Sequence, residues 1–179
     1  MILTDHKIKA YGQKLVPPPP FAEDRVQAVG YDLTAKTFLL PSEQASSEVT
    51  LEPMASVFVQ CEEEIALPAD ITATIQLRNS RIRQELILTA PRYYPGHCTP
   101  VYFRVTNFSD EAVRLAAGDG IATIIFERLK YPVDHPYDGK FQHETKFAGR
   151  LFQTLQFQEA LVANASFLWF ISEVRGTRP

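Results

Sequence analysis

The sequence has little cysteine and no long apolar run. Its 179 residues include two cysteines, Cys61 and Cys98, which are too few for a disulfide framework and typical of a reducing compartment. The longest apolar run, residues 161–171, is interrupted by Asn164 and Ser166, whereas a membrane span needs roughly 20 residues. The chain does not begin with a charged-then-apolar signal pattern. We therefore expect a cytoplasmic protein with no membrane partner.

Positive charge is also scarce. The chain carries 18 lysines and arginines against 21 acidic residues, which gives a formal net charge of -3. Proteins that bind nucleic acid usually present a strongly basic face, so the composition gives no support for such a partner. The length fits one domain, or one domain with an extension.

Three common catalytic motifs are absent. Zinc-dependent deaminases need a His-x-Glu motif and a distant Pro-Cys-x-x-Cys motif, but the two cysteines lie 37 positions apart and His143 is adjacent to Glu144. The sequence also lacks a G-x-S-x-G nucleophile turn and the glycine-rich phosphate loops G-x-x-x-x-G-K-[ST] and G-x-G-x-x-G. We therefore expect no resident metal.

A dense group of arginines stands out among the residues that are present. Arg78, Arg81 and Arg83 lie within six positions, together with Asn79 and Ser80. A guanidinium group offers a planar fork of donors that suits phosphate oxygens. On the residues alone, the segment is either a solvated charged turn or an anion site.

Most of the chain has a β pattern. Between residues 26 and 129, short runs rich in Val, Ile, Thr, Phe and Tyr alternate with turns and no helices intervene, which indicates a sandwich or barrel. The clearest predicted strands are 57–61, 71–77, 85–89, 101–106 and 121–126. A short helix is predicted near Thr4 and Asp5. Apolar spacing over 151–174 predicts one or two helices, with a strand over 167–171 as the alternative.

Seven segments carry a family resemblance, in the order that the family has them. They are residues 1–5 with Ile8 (an opening segment), 29–33 ("SYDL"), 67–71 ("LPADL"), 78–83 ("RSSLAR"), 94–96 ("DPG"), 118–122 with 126–129 ("PGxxIxxLxFxxL") and 137–142 ("YxGKYQ"). The chain, most clearly over residues 50–130, resembles the deoxycytidine triphosphate deaminase and deoxyuridine triphosphatase superfamily, closest to the deaminase branch.

The resemblance implies a fold and a domain plan. We expect a mainly β protein, a dUTPase-like β-barrel or distorted jelly roll with short helices and a C-terminal helical extension. The barrel domain with its N-terminal helix would cover residues 1–130, the C-terminal arm 131–150 and the helical extension 151–179. The resemblance also implies a homotrimer with sites at subunit interfaces, where the arginine motif of one chain faces the pyrimidine-reading turn of another.

The resemblance places three residues at catalytic positions, two of them substituted. Arg104 stands where the deaminases have a proton-moving glutamate, and an arginine cannot act as a general base. Asn79 replaces a serine, while Arg83 keeps its type. Tyr94 stands where the triphosphatase branch has its water-activating aspartate. Strand alternation places Arg104 opposite the core-directed face of its strand, either as a surface residue paired with a glutamate or in the former catalytic pocket.

The same resemblance implies a nucleotide-binding set. It consists of Arg78, Ser80, Thr89, Ala90, Arg92, Tyr94, Tyr137, Lys140 and Gln142. In the arm, Tyr137, Lys140 and Gln142 match residues that close over a polyphosphate, with Phe141 in place of a tyrosine. The resemblance implies no protein metal site, although Mg²⁺ can accompany a bound triphosphate.

Other polar residues are predicted to be structural. Glu62, Glu63 and Glu64 are interpreted as a solvated turn, Asp32 as a brace, and His97 as a structural or exposed turn residue. The leading functional hypothesis is a dCTP deaminase-like protein that binds a pyrimidine deoxynucleotide with reduced or lost catalysis. One alternative is an active dCTP deaminase or dUTP pyrophosphatase that uses unrecognised residues. The other is a non-catalytic trimeric scaffold or regulatory protein.

Overall fold

The described part of the chain contains ten strands, two short α-helices and two 3-10 helices, the latter at Gly12–Lys14 and Glu23–Arg25. The structure is a computed structural model that describes residues 1–17, 21–40, 44–144 and 147. In chain order the elements are α1 (Asp5–Tyr11), β1 (Val26–Gln27), β2 (Gly30–Leu39), β3 (Ala45–Ser46), β4 (Glu48–Leu51), β5 (Ser56–Ala66), β6 (Ile71–Leu77), α2 (Asn79–Ile82), β7 (Leu86–Thr89), β8 (Cys98–Asn107), β9 (Val113–Ala116) and β10 (Gly120–Arg128). The predicted extension over 151–179 lies outside the described residues.

The main sheet is antiparallel and almost closes on itself. Its strand order is β6–β10–β2–β5–β8–β7, with β1 and β3 added along β2, while β4 and β9 pair separately. The two ends of this path meet where Ala73 of β6 exchanges two backbone hydrogen bonds with Tyr93, which follows β7, at 3.0 and 2.9 Å. The prediction of a mainly β, barrel-like fold is confirmed.

The interior of the barrel follows from strand alternation. In β8, Val101, Phe103 and Val105 are almost completely buried, whereas Arg104 and Thr106 on the opposite face are partly exposed and Tyr102 on that face is covered at the cavity. Successive side chains of a strand point to opposite faces, so one apolar set fills the core and the other set faces outward. The inward face of β8 was therefore predicted correctly.

The interpretation of residues 62–64 as a solvated turn is wrong. These residues lie inside β5, and the side chain of Glu63 is buried. Its carboxylate accepts hydrogen bonds from Arg25 at 2.5 Å and from the backbone N–H of Thr34 at 3.0 Å. Burial raises the pKa of Glu63, and these hydrogen bonds oppose the rise. The sequence showed three adjacent acids but not the distant arginine that pairs with Glu62 and Glu63.

After β10 the chain runs back across the barrel surface as an irregular arm. Successive backbone hydrogen bonds join it first to residues 69–70 and then to residues 95–98. Gly96 makes this approach possible, because its φ is +87° and a Cβ there would lie 2.6 Å from the Cβ of Pro136. Among the described residues, no helix is long and apolar enough to cross a membrane. The boundaries at 130 and 150 stay predictions.

Candidate functional site

An apolar cavity of about 290 Å³ lies between the outer face of the sheet and the arm. The sheet contributes Phe58 from β5, Thr89 from β7 and Tyr102 from β8, and the arm contributes Phe141 and Glu144. Aromatic walls with a few convergent polar groups are typical of sites for small ring-bearing ligands. The volume lies near the lower end of the range of about 300–1,000 Å³ for such sites.

Arg104 is the central residue of a row that runs across the neighbouring strands β5, β8 and β7. In the strand register it stands directly opposite Phe58 on one side and Thr89 on the other, and both of these residues line the cavity. Directly opposed residues on neighbouring strands share a face. The structure therefore places Arg104 on the cavity face rather than in the core.

His97 is held in one orientation by two rings and one carbonyl. Its ring stacks on Tyr137 with centroids 4.0 Å apart and meets the Tyr93 ring edge-on at 5.3 Å. Its Nε2 lies 3.3 Å from the carbonyl oxygen of Phe141, so Nε2 donates and Nδ1 is left as an acceptor in the neutral ring. Burial lowers the pKa of His97, which favours this neutral form. The side chain is buried and lines the cavity.

Two buried polar atoms in residues that line the cavity lack partners. Among the described residues, neither Nδ1 of His97 nor Oγ1 of Thr99 makes a hydrogen bond, and both side chains are more than nine-tenths buried. Nearly all buried polar atoms in folded proteins are paired, so each unpaired one calls for an explanation. These two buried atoms therefore have unused hydrogen-bonding capacity next to the cavity.

The arginine turn lies elsewhere in the same chain and is partly neutralised. Arg78 precedes α2 and its guanidinium lies 3.5 Å from the carboxylate of Asp32. A side chain at position 120 would collide with that guanidinium, so Gly120 provides the room for it. Asp32 also accepts a hydrogen bond from Thr123 at 2.7 Å, which makes it a brace between β2 and β10.

The remaining residues of the turn differ in whether their side chains are exposed or already form an ion pair within the chain. Arg81 pairs with Asp119 at 2.9 Å. Asn79, Ser80 and Arg83 are exposed, and Arg83 makes no ion pair within the described part of the chain. Arg83 lines a separate polar cleft of about 540 Å³. The turn therefore keeps one available guanidinium.

The arm residues are engaged with the same chain. The side chain of Gln142 donates to the carbonyl of Gly96 at 2.8 Å and accepts from the backbone N–H of Cys98 at 2.9 Å. Lys140 is exposed, and its ammonium lies 4.7 Å from the centre of the Phe141 ring. Among the predicted polyphosphate residues of the arm, Lys140 is thus the available cation.

The other predicted binding residues lie apart from one another. Ala90 packs half-buried against the core, and Tyr94 is exposed. Arg92 turns toward the edge of β10, where it donates to Glu127 at 2.7 Å and to the hydroxyl of Thr72 at 3.3 Å. Its salt bridge directs its charge away from the cavity.

One chain therefore presents the predicted site in two parts. Thr89 lines the cavity, Arg104 lies on the same face, and Tyr137 stacks at its edge, whereas no residue of the arginine turn is among the cavity walls. The sequence interpretation missed Glu144, because an acid in an irregular arm gives no pattern that marks its direction. Within the described residues, no cluster of His, Cys, Asp or Glu could hold a metal ion.

Comparison with solved structures identifies the fold. The chain is similar to 2'-deoxycytidine 5'-triphosphate deaminase from Agrobacterium tumefaciens, with a TM-score of 0.58 and 21% identity over 70% of this chain and 46% of that one. It is also similar to the EIAV dUTPase, with a TM-score of 0.50 and 15% identity over 72% of this chain and 94% of that one. The protein thus has the dUTPase-like β fold.

Comparison of sequences identifies the family. A sequence model described as dCTP deaminase-like matches residues 36–129. The chain is 30% identical over 153 residues to the dCTP deaminase of Pyrococcus furiosus, which covers 83% of this chain and 96% of that protein. The chain belongs to the dCTP deaminase-like family.

Proposed function

We propose that the protein binds a pyrimidine deoxynucleotide and that its catalysis is reduced or lost. The observation that supports this most is Arg104, whose register partners Phe58 and Thr89 line the cavity. A guanidinium at the position that the family resemblance gives to a proton-moving glutamate can donate hydrogen bonds but cannot accept a proton. At this position the cavity can bind a ring but lacks the proton-moving group.

The phosphates would be bound by the available cations. Arg83 is exposed at the arginine turn and Lys140 is exposed on the arm. Arginine matches phosphate oxygens with a fork of donors, and lysine supplies a mobile point charge. Mg²⁺ would accompany a triphosphate rather than occupy a protein site. We also propose that the protein acts in the cytoplasm.

The arrangement also supports a homotrimer. No residue of the arginine turn lines the cavity of its own chain, so a complete site would need the turn of a second copy, as the family resemblance implies. Light scattering should therefore give three times the chain mass of 20.2 kDa. A stable monomer at micromolar concentration would contradict both the trimer and the shared site.

The second candidate is an active dCTP deaminase or dUTP pyrophosphatase. It is favoured by the titratable side chains of His97 and Glu144 at the cavity, since groups of these types perform general acid–base catalysis. Assays of deamination and of diphosphate release, each with and without Mg²⁺, separate the two candidates. Robust turnover that depends on a cavity residue would replace the binding proposal with the enzymatic one.

Calorimetry tests the binding proposal directly. Wild-type protein is titrated with dCTP, dUTP, dTTP and pyrophosphate, each with and without Mg²⁺. Arg83→Ala should weaken nucleotide binding about tenfold or more, since a hydrogen bond to a charged group contributes roughly 1.5–3 kcal/mol. The matched control is Arg128→Ala, which removes an exposed arginine that pairs with Asp70 at 2.8 Å, away from the cavity.

The possible calorimetry results lead to different conclusions. Loss of affinity in Arg83→Ala but not in Arg128→Ala supports the proposed phosphate site. Equal losses in both variants would mean that net charge, rather than the arginine turn, governs binding. If no ligand binds below millimolar concentration, nucleotide binding is rejected and the trimeric scaffold becomes the leading hypothesis.

A further inference from the structure

The arm brings a carboxylate to the cavity. Glu144 is the acidic residue among the cavity-lining side chains of the described chain. Phe58 and Thr89, which are the register partners of Arg104, line the same cavity. The cavity therefore has a carboxylate from the arm and lies on the face of the sheet that carries Arg104.

The charge of Glu144 acts on aromatic residues that line the cavity. Burial raises the pKa of Tyr102, and the negative charge of Glu144 raises it further. Burial likewise raises the pKa of Tyr93, to which Glu144 adds. For His97, burial lowers the pKa while the Phe141 carbonyl and Glu144 oppose that change. One carboxylate thus acts on three rings of the cavity.

We propose that Glu144 is a specificity-determining residue that accepts a hydrogen bond from the exocyclic amino group of an aminopyrimidine ring in this cavity. The proposal rests on the proposed function and adds the residue that reads the base. A carboxylate has about four lone-pair positions and no donor, so it retains accepting capacity alongside any other contact. The ligand group that pairs with this carboxylate must therefore be a hydrogen-bond donor.

The hydrogen-bonding groups at the edge of the ring distinguish an aminopyrimidine from a pyrimidine with two carbonyl groups. An exocyclic amino group projects beyond the ring, and a carboxylate can accept a hydrogen bond from one of its two N–H groups while the ring nitrogen beside it remains an acceptor. A diketo ring offers one N–H, which has a carbonyl oxygen on each side, and those oxygens would face the carboxylate oxygens. The carboxylate of Glu144 on the cavity wall therefore favours the amino-bearing ring.

The test uses a ligand without phosphates. Deoxycytidine is titrated at concentrations up to millimolar into wild-type protein, Glu144→Met and Glu144→Gln. Glu144→Met removes every acceptor and should weaken deoxycytidine binding about tenfold or more, since a hydrogen bond to a charged group is lost. Glu144→Gln keeps a neutral acceptor and should lose less. Pyrophosphate affinity should be the same in all three proteins.

A modified ligand isolates the proposed contact. N4,N4-dimethyldeoxycytidine has no amino hydrogens, so it should bind wild-type protein more weakly than deoxycytidine and should not respond to Glu144→Met. The control variant is Glu64→Met, because the charge of Glu64 also acts on Tyr102 while its exposed side chain is not a cavity wall. This control should bind deoxycytidine as wild type does.

The outcomes separate this inference from the function on which it rests. If nucleotides bind and deoxycytidine affinity is unchanged in Glu144→Met, the role of Glu144 is rejected and nucleotide binding stands. The same holds if nucleotides bind while deoxycytidine does not bind to wild type. If neither nucleotide nor nucleoside binds to wild type, both proposals are rejected.

Discussion

The ring of Tyr137 lies on the ring of His97, with centroids 4.0 Å apart and an interplanar angle of 23°. This contact joins the arm to the turn before β8, which is also where Gln142 is bonded to the backbone. Because Phe141 and Glu144 follow on the same arm and line the cavity, the position of the arm determines the shape of the cavity.

Gly96→Ala should release the arm. A Cβ at position 96 would lie 2.6 Å from Pro136 Cβ and 2.9 Å from the backbone nitrogen of Tyr137. We expect faster amide exchange over residues 131–144 and a loss of more than about 1 kcal/mol in the free energy of unfolding, since positive φ alone costs an L-residue roughly 1–2 kcal/mol. Urea unfolding and hydrogen exchange measure the two effects.

Gly118→Ala is the matched control for this variant. Gly118 has a φ of +88°, and a Cβ there would meet nothing within 4 Å. It should lose stability through backbone strain while the arm keeps its exchange protection. Equal protection of the arm in both variants would contradict the proposed steric fit at Gly96.

His97 should make stability depend on pH below neutrality. Its folded pKa lies below the ordinary value of 6.5 because of burial. As pH falls, the unfolded chain therefore binds the proton more readily than the folded protein, so the free energy of unfolding decreases through and below about pH 6.5. His97→Phe keeps a stacking ring but cannot titrate, and its stability should fall less between pH 7 and pH 5. Identical slopes in urea unfolding series would contradict this assignment.

Restoring the family residue types should restore chemistry. In the double variant Arg104→Glu with Asn79→Ser, a carboxylate returns to the cavity face and a hydroxyl returns to the arginine turn. General acid–base catalysis is typically worth about 10²–10⁴-fold, so dCTP deamination should rise from background to a measurable rate. The single variants serve as controls and should gain less, because each restores one of two groups. No gain in a folded double variant would contradict the interpretation that these substitutions limit catalysis.

Asn107 should be essential for stability rather than for binding. It is fully buried, donates to the carbonyls of Leu51 and Glu111 at 2.8 and 2.7 Å, and accepts from the backbone N–H and hydroxyl of Ser109. Asn107→Ala would remove the donor to the buried Leu51 carbonyl and the side-chain bonds to Ser109 and Glu111, and it should reduce the free energy of unfolding by about 2–4 kcal/mol in urea titrations. Asn79→Ala, at an exposed position, should change it by less than about 0.5 kcal/mol.

The sequence by itself determined the barrel and the inward faces of its strands. The alternation through Val101, Phe103 and Val105 predicts which side chains of β8 enter the core, because the side-chain period of a strand is a local property. The same period placed Arg104 on the opposite face. The ordered motifs also indicated the family before any contact was known.

Only the tertiary structure decided which charges are paired and which are available. Arg78 and Arg83 are close in sequence, yet Arg78 pairs with Asp32 and Arg83 does not pair with any described acid. Glu63 is buried against Arg25, whereas Glu144 reaches the cavity. Whether a charged side chain is paired depends on which distant segment packs beside it. The local sequence pattern contains no information about that segment.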